Sequence, residues 1–345
     1  MNCTSCTGIA ALAEKGDIAI SHPNPSIMST LGLLFSVTET GGIITLPYSN
    51  LDDVQRLISS LEDEYSSYAL SHFSFQMISE EDAARTTSVS FSEFKERVKR
   101  PDLYSVIASG LFTTHCQPIV NLQSGEVYGF ELLLRPIEGA PHFYPYELFQ
   151  FAQKAGLQSL LDSKARVESI HNSSKYLPEG LKRFINFLPS SIYDPNHCLK
   201  TTFKAAAETG TNPADLVFEV VETEEILDMD HLQSILDVYK EKGMKVALDD
   251  LGAGHSTEDV LKRLNPHFVK IDRDIISFCD LNSDKQKKLL DTVKTASEIG
   301  TIVLAEGIER EEEAEWCREA GIHLAQGYYY GKPAPPETYY KEALL

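Results

Sequence analysis

Residues 216–250 read LVFEVVETEEILDMDHLQSILDVYKEKGMKVALDD, and this stretch decides the fold. LVFEV and KVALDD are short apolar runs of the length and composition of buried strands. Between them Leu232, Ile235, Leu236 and Tyr239 recur at helical spacing, and Gly243 follows where a helix C-cap is favoured. A strand, an amphipathic helix and a second strand form a crossover unit, which implies parallel pairing. The alternation continues downstream, where Leu289, Leu290, Val293 and Ile299 make another helical stripe ended by Gly300. It repeats too often for a sandwich. The expected class is α/β, a mostly parallel sheet closed by crossovers.

The strand-like runs share a second property. Glu131 closes VYGFELLL, Asn186 sits in RFINFL, Glu219 in LVFEV, and Asp249 with Asp250 close KVALDD. Lys270 closes HFVK and Glu306 follows TIVLA. In a (β/α) barrel the C-terminal strand ends meet at one face, so these side chains become neighbours. Their carboxylates would repel one another unless cations held them. Hard cations require oxygen donors, which Glu, Asp and Asn supply, and zinc fits poorly without a Cys/His set. The pattern points to a divalent-metal enzyme.

At 345 residues the chain has room for one barrel and a small extra domain. A formal net charge of −20 argues against a nucleic-acid surface, so neither DNA nor RNA is an expected partner. It leaves a small anionic ligand open, because bound metals reverse the local sign. No basic n-region or long apolar stretch marks a signal peptide or membrane span. Cys116, Cys198, Cys279 and Cys317 are scattered singly, which suits a reducing cytoplasm better than a disulfide framework.

Residues 1–85 are expected to form a small α+β domain. GDIAIS, GGIITLPY and SHFSFQMI read as strands, and Val54, Leu57, Ile58 and Leu61 as a helical stripe, with Ser49 or Asn50 at its N-cap. The polar stretch at 86–100 reads as a linker running into a helix, and 101–345 as the barrel. The small domain has the size of a regulatory or interaction module for a protein or signal partner. Cys3 and Cys6 form a C-x-x-C that admits three readings: a plain terminus, a metal site completed by His22 or a second chain, or a redox pair.

CQPIVNLQSGEVYGFELLLRP, VFEVVETE, VALDDLGAGHS, FVKIDRDI, LAEGIE and AQGYYYGKPAP occur in this order over residues 100–345. Together they resemble the EAL-domain family of cyclic-di-GMP-specific phosphodiesterases. The resemblance implies a modified (β/α)8 TIM-type barrel, two Mg2+ or Mn2+ ions, and hydrolysis of cyclic di-GMP to linear pGpG. It also implies a homodimer through the barrel. Matched by motif, Glu131, Asn186, Glu219, Asp249, Asp250 and Glu306 stand at metal-ligand positions. Lys270 stands where a lysine assists the attacking water as a base or stabilises charge. Glu309 matches an acid near that lysine, and Glu222 a glutamate that steadies the loop after the paired aspartates. Gln117, Leu133, Arg135 and Gln326 match positions lining the nucleotide pocket.

Three departures qualify the match. Leu132 replaces the middle alanine of the name-giving triplet, Leu251 replaces a usual phenylalanine, and His255 a usual tyrosine. The last two fall in the loop that couples dimerisation to metal binding in the family, so they bear on rate and regulation. A catalytically silent receptor or scaffold acting through a protein partner is the alternative; loss of a ligand or of the lysine would be its signature, and neither is seen. The Tyr328–Tyr330 run is expected on a barrel strand with its rings alternating in and out.

Overall fold

The computed structural model describes residues 9, 12–21, 27, 31–32, 35–78, 87–220, 228–251 and 258–340, with only the backbone of 250, 251, 258 and 340. Cys3, Cys6, His22, Glu222 and His255 lie outside the described residues. The chain divides into two compact units, residues 1–112 with 136–161, and residues 113–135 with 162–345.

The first unit holds a five-stranded sheet in the order β2-β3-β1-β4-β5. Its strands are β1 Gly16–Ser21, β2 Thr38–Thr40, β3 Ile43–Tyr48, β4 Ser74–Ile78 and β5 Val89–Ser90, and each pair is antiparallel. Helix Leu51–Glu64 starts where the side chain of Asn50 accepts from the Asp53 amide at 3.0 Å. Its stripe Val54, Leu57, Ile58 and Leu61 is buried in the same cluster as Ile18, Ile20, Leu46 and Phe75. Helix Phe91–Lys99, expected only as a lead-in, is part of that core. Phe94 stacks on Phe75 with centroids 4.7 Å apart, and Phe91 and Val98 are buried beside them.

The second unit is a closed eight-stranded barrel in the order β10-β11-β12-β13-β6-β7-β8-β9. The strands are β6 Phe112–Asn121, β7 Val127–Pro136, β8 Lys182–Phe187, β9 Leu216–Val220, β10 Lys245–Leu251, β11 Phe268–Ile271, β12 Ile302–Ala305 and β13 Leu324–Gln326. From β7 to β13 neighbouring strands are parallel, while β6 pairs antiparallel with β13. One reversed strand is what makes the barrel a modified one.

Strand alternation then builds two interior layers. Ile119, Phe184, Val217, Ala247, Phe268, Leu304 and Leu324 form one apolar cluster with a residue from each of seven strands. The residues between, such as Ile185, Phe218, Leu248 and Val269, belong instead to the larger cluster that includes helix residues Leu232, Ile235, Leu236 and Tyr239. Two positions on from the apolar layer come Asn186, Glu219, Asp249, Lys270, Glu306 and Gln326. The polar layer therefore sits one pleat above a dry floor.

Two expectations need correction. Leu290 is 50% exposed, so the stripe of helix Ser283–Ile299 is carried by Leu289 and not by its neighbour. Tyr328–Tyr330 follow β13 in a turn, with Tyr328 and Tyr329 about half exposed and Tyr330 partly buried.

Candidate active site

Lys270 is the centre of the polar layer. It is 1% exposed, and burying an ammonium so deeply is costly without partners. Its Nζ lies 2.5 Å from Glu306 Oε1, 3.1 Å from Asp249 Oδ1, 3.3 Å from Glu219 Oε1 and 3.7 Å from Glu131 Oε1. Burial works against its charge, yet Asp249, Glu131, Glu219 and Glu306 together hold its pKa well above that of an ordinary lysine. It is an ammonium.

Each carboxylate answers to its own surroundings. Burial alone would raise the Glu131 carboxyl, but Lys270 and hydrogen bonds from Gln326 and Asn186 bring it below the usual range. Asn186 Nδ2 donates to Glu131 Oε1 at 3.0 Å, and Gln326 Nε2 donates to Glu131 Oε2 at 2.6 Å. Glu219 is fully buried; desolvation pushes its pKa well up against the pull of Lys270, and Glu131, Asp249 and Glu306 push the same way. Burial, again opposed by Lys270, raises Glu306 to about 8. Neighbouring acids driven apart in pKa are a mark of a site built to handle charge.

The pocket wall follows from β6 and β13. Gln326 Nε2 also donates to Gln117 Oε1 at 3.0 Å, and Gln117 Nε2 donates to the Gly331 carbonyl at 3.2 Å. Arg135, half-buried, donates from Nη1 to the Leu134 carbonyl at 2.7 Å, which leaves other guanidinium donors for a ligand. Leu133 is half-buried two residues before it. Glu309 is exposed and pairs with Arg273 Nη2 at 2.8 Å; it is not among the four carboxylates paired with Lys270. Asp250 ends the same strand as Asp249, and its side chain is not described.

The donor set suits hard divalent cations. Glu131, Asn186, Glu219, Asp249 and Glu306 present only oxygen or amide donors. Glu219 Oε1 is buried with no hydrogen-bond donor and faces only the Lys270 ammonium at 3.3 Å, so a hard cation is the kind of partner that would complete its coordination. Among the described residues no group of three or more His, Cys, Asp or Glu is placed to hold a metal ion as it stands. The carboxylates converge on the Lys270 ammonium instead. Arg273, Asp162 and Arg166 went unmarked by the sequence reading, although Arg273 stands only three residues after Lys270.

A closed barrel with its oxygen donors gathered at the strand ends defines a (β/α)-barrel protein with its site at the customary face. The EAL domain profile matches residues 101–333, and the chain belongs to the EAL domain family. It is 30% identical over 242 residues to the probable cyclic di-GMP phosphodiesterase PdeG of Escherichia coli K12, covering 67% of this chain and 46% of that protein. The chain thus spans about half the length of the curated relatives it matches. A standalone EAL protein from Vibrio cholerae O395, solved with c-di-GMP bound, aligns with a TM-score of 0.60 at 32% identity, over 65% of this chain and 93% of that one. Klebsiella pneumoniae BlrP1, solved as a calcium and c-di-GMP complex, aligns with a TM-score of 0.59 at 23% identity. It covers 93% of this chain and 96% of its own, so that likeness of fold reaches beyond the barrel.

Proposed function

We propose that the chain hydrolyses one phosphodiester bond of cyclic di-GMP to give linear pGpG, using two divalent cations, Mg2+ or Mn2+. The observation that carries the reading is the ring of Glu131, Asn186, Glu219, Asp249 and Glu306 around Lys270 at the strand ends. The names of the EAL relatives supply the substrate class. Bound there, the cations would activate water and neutralise phosphoryl oxygens. Glu131, Asn186, Glu219, Asp249, Asp250 and Glu306 would hold them.

The chain's own residues do the rest. Arg135 offers a planar, permanently charged donor to a phosphate oxygen. Gln117 and Gln326 present amides to the nucleotide, their orientation fixed by the bonds to Glu131 and Gly331. Lys270 Nζ is held as an ammonium by the carboxylates, so it stabilises negative charge in that state. It serves as a base only once positive charge elsewhere satisfies those acids. Glu309, which pairs with Arg273, is assigned the role of an acid near Lys270, and Glu222 that of steadying the loop after Asp249 and Asp250. Residues 1–85 are assigned a regulatory or interaction role, and the barrel a homodimer contact in a cytoplasmic protein. Among the described residues no helix is long and apolar enough to cross a membrane.

The test is incubation of the purified protein with cyclic di-GMP and Mg2+ or Mn2+, with nucleotides resolved by chromatography. Appearance of pGpG, lost with EDTA and in Glu131→Ala, supports hydrolysis. Substrate that binds and stays intact overturns it and leaves a cyclic di-GMP receptor.

A further inference from the structure

Behind the polar layer lies a buried charge that no motif announces. Asp162 and Arg166, one turn apart on helix Gln158–Tyr176, are 2% and 1% exposed and pair at 2.9 Å. A buried ion pair is weak evidence for stability, since desolvating both charges offsets most of their attraction. What matters is where the remaining bonds go. Asp162 Oδ1 accepts from the Leu188 amide at 2.9 Å, and Oδ2 accepts from Ser191 Oγ at 2.5 Å. Leu188 is the first residue past β8 and lies two positions after Asn186. The carboxylate thus fixes the backbone where β8 releases its site residue.

Arg166 carries the link to β9. Its Nη1 donates to Thr202 Oγ1 at 3.1 Å and to Tyr239 Oη at 3.2 Å. The Tyr239 ring stacks on Phe218 at 4.1 Å and 11°, and meets Phe187 edge-on at 5.4 Å. Phe187 follows Asn186, and Phe218 precedes Glu219. Asn186 and Glu219 are themselves register partners across β8 and β9. One outward-facing cluster therefore backs two inward-facing donors.

We propose that Asp162, acting with Arg166 and Tyr239, is a positioning residue that sets the Asn186–Glu219 pair for cation binding. The inference rests on the metal reading given above. Groups that hydrogen-bond a metal ligand directly change metal affinity by about ten- to a hundred-fold when altered, and Asp162, which acts through the Leu188 backbone one step further out, is expected at the lower end of that range.

The test is Mn2+ uptake by the metal-free full chain without substrate, followed by the electron paramagnetic resonance signal of free Mn2+. Asp162→Asn and Ser191→Ala are compared with wild type. Leu289→Ala, which opens a cavity in helix Ser283–Ile299, serves as a variant destabilised for an unrelated reason. The expected result is about ten-fold weaker Mn2+ binding in a cooperatively melting Asp162→Asn, a smaller loss in Ser191→Ala, and wild-type affinity in Leu289→Ala. The Km for cyclic di-GMP at saturating Mn2+ stays at the wild-type value in both Asp162→Asn and Ser191→Ala. Wild-type Mn2+ affinity in a folded Asp162→Asn overturns the proposal, as does equal weakening in Leu289→Ala. Should Asp162→Asn fail to fold, Ser191→Ala decides by the same criterion. A wild-type chain that takes up no Mn2+ sinks the metal reading and this inference together; normal uptake with unaltered variants sinks this inference alone.

Discussion

Lys270 Nζ and Glu306 Oε1 stand 2.5 Å apart, and the buried Lys270 pairs with three further carboxylates. The ammonium is thus the positive charge that allows these acids to lie together. Removing one partner of such a buried set leaves uncompensated charge, at a cost of about 3 kcal/mol. Lys270→Met is accordingly expected to melt much lower than wild type in EDTA and to recover most of the difference in Mn2+, because cations replace the lost charge. Turnover is expected to fall by about a hundred-fold or more even with the metal present. Thermal melts in the two conditions check the first statement. Equal losses with and without Mn2+ would show that the ammonium does not balance the carboxylates.

The raised acids make cation binding a proton-releasing event. Glu306, raised to about 8, holds its proton at pH 7 in the metal-free protein, and burial drives the Glu219 carboxyl in the same direction. Ligation requires a carboxylate, so the Glu306 proton leaves as the cation enters. Apparent Mn2+ affinity should therefore climb from pH 6 and flatten once Glu306 is already ionised, above its value of about 8. Calorimetric titration at pH 7 in two buffers of different ionisation enthalpy reads the released protons directly. Identical heats in both buffers would contradict the assignment of a protonated Glu306.

Much of this site was legible because a parallel barrel strand, buried on both faces, is written as an unbroken apolar run with its polar residue standing out at the end. Glu219 in LVFEV and Lys270 in HFVK are of that kind, and their inward direction follows from the two-residue period. The antiparallel direction of β6 was not legible, since an apolar run carries no sign of which way it points. The burial of helix Phe91–Lys99 was hidden by its charged residues, although Ser90 and Glu93 form a capping box at its start. Asp162 and Arg166 were missed for a related reason. On an isolated helix such an i, i+4 pair reads as a solvated face, and only tertiary packing shows that it is buried.

His267 gives the fold a pH dependence distinct from that of the site. The Val246 amide donates to His267 Nδ1 at 3.2 Å, a bond that requires that nitrogen unprotonated. Burial first, then the nearby Lys245 and Lys240, depress its pKa from 6.5 to about 4. Between those values the unfolded chain binds the proton and the folded one does not, so stability falls as pH drops from about 6.5 towards 4. Discounted for partial solvent screening, the effect is about 1–2 kcal/mol. Urea midpoints at pH 7.5 and pH 5 should fall further apart in wild type than in His267→Gln. Parallel shifts in the two proteins would mean that another group carries the acid sensitivity.

Gly327 marks the point where β13 leaves the barrel, directly after Gln326. A Cβ there would lie 2.0 Å from the Ile308 carbonyl oxygen and 2.3 Å from its amide nitrogen, and backbone cannot swing aside as a side chain can. Those same Ile308 groups bind the turn, the amide donating to Gln326 O at 3.0 Å and the carbonyl accepting from the Tyr329 amide at 3.1 Å. Gly327→Ala must therefore separate the ends of β12 and β13, which carry Glu306 on one side and Gln326 on the other. Overpacking of this kind costs about 1–3 kcal/mol, and the displaced Gln326 amide loses its hold on Glu131. The expected outcome is a lower melting temperature together with a fall in kcat/KM larger than the stability loss alone produces at a temperature where the variant is fully folded. A Gly327→Ala protein with wild-type kcat/KM would show that the Gln326–Glu131 bond has no part in turnover.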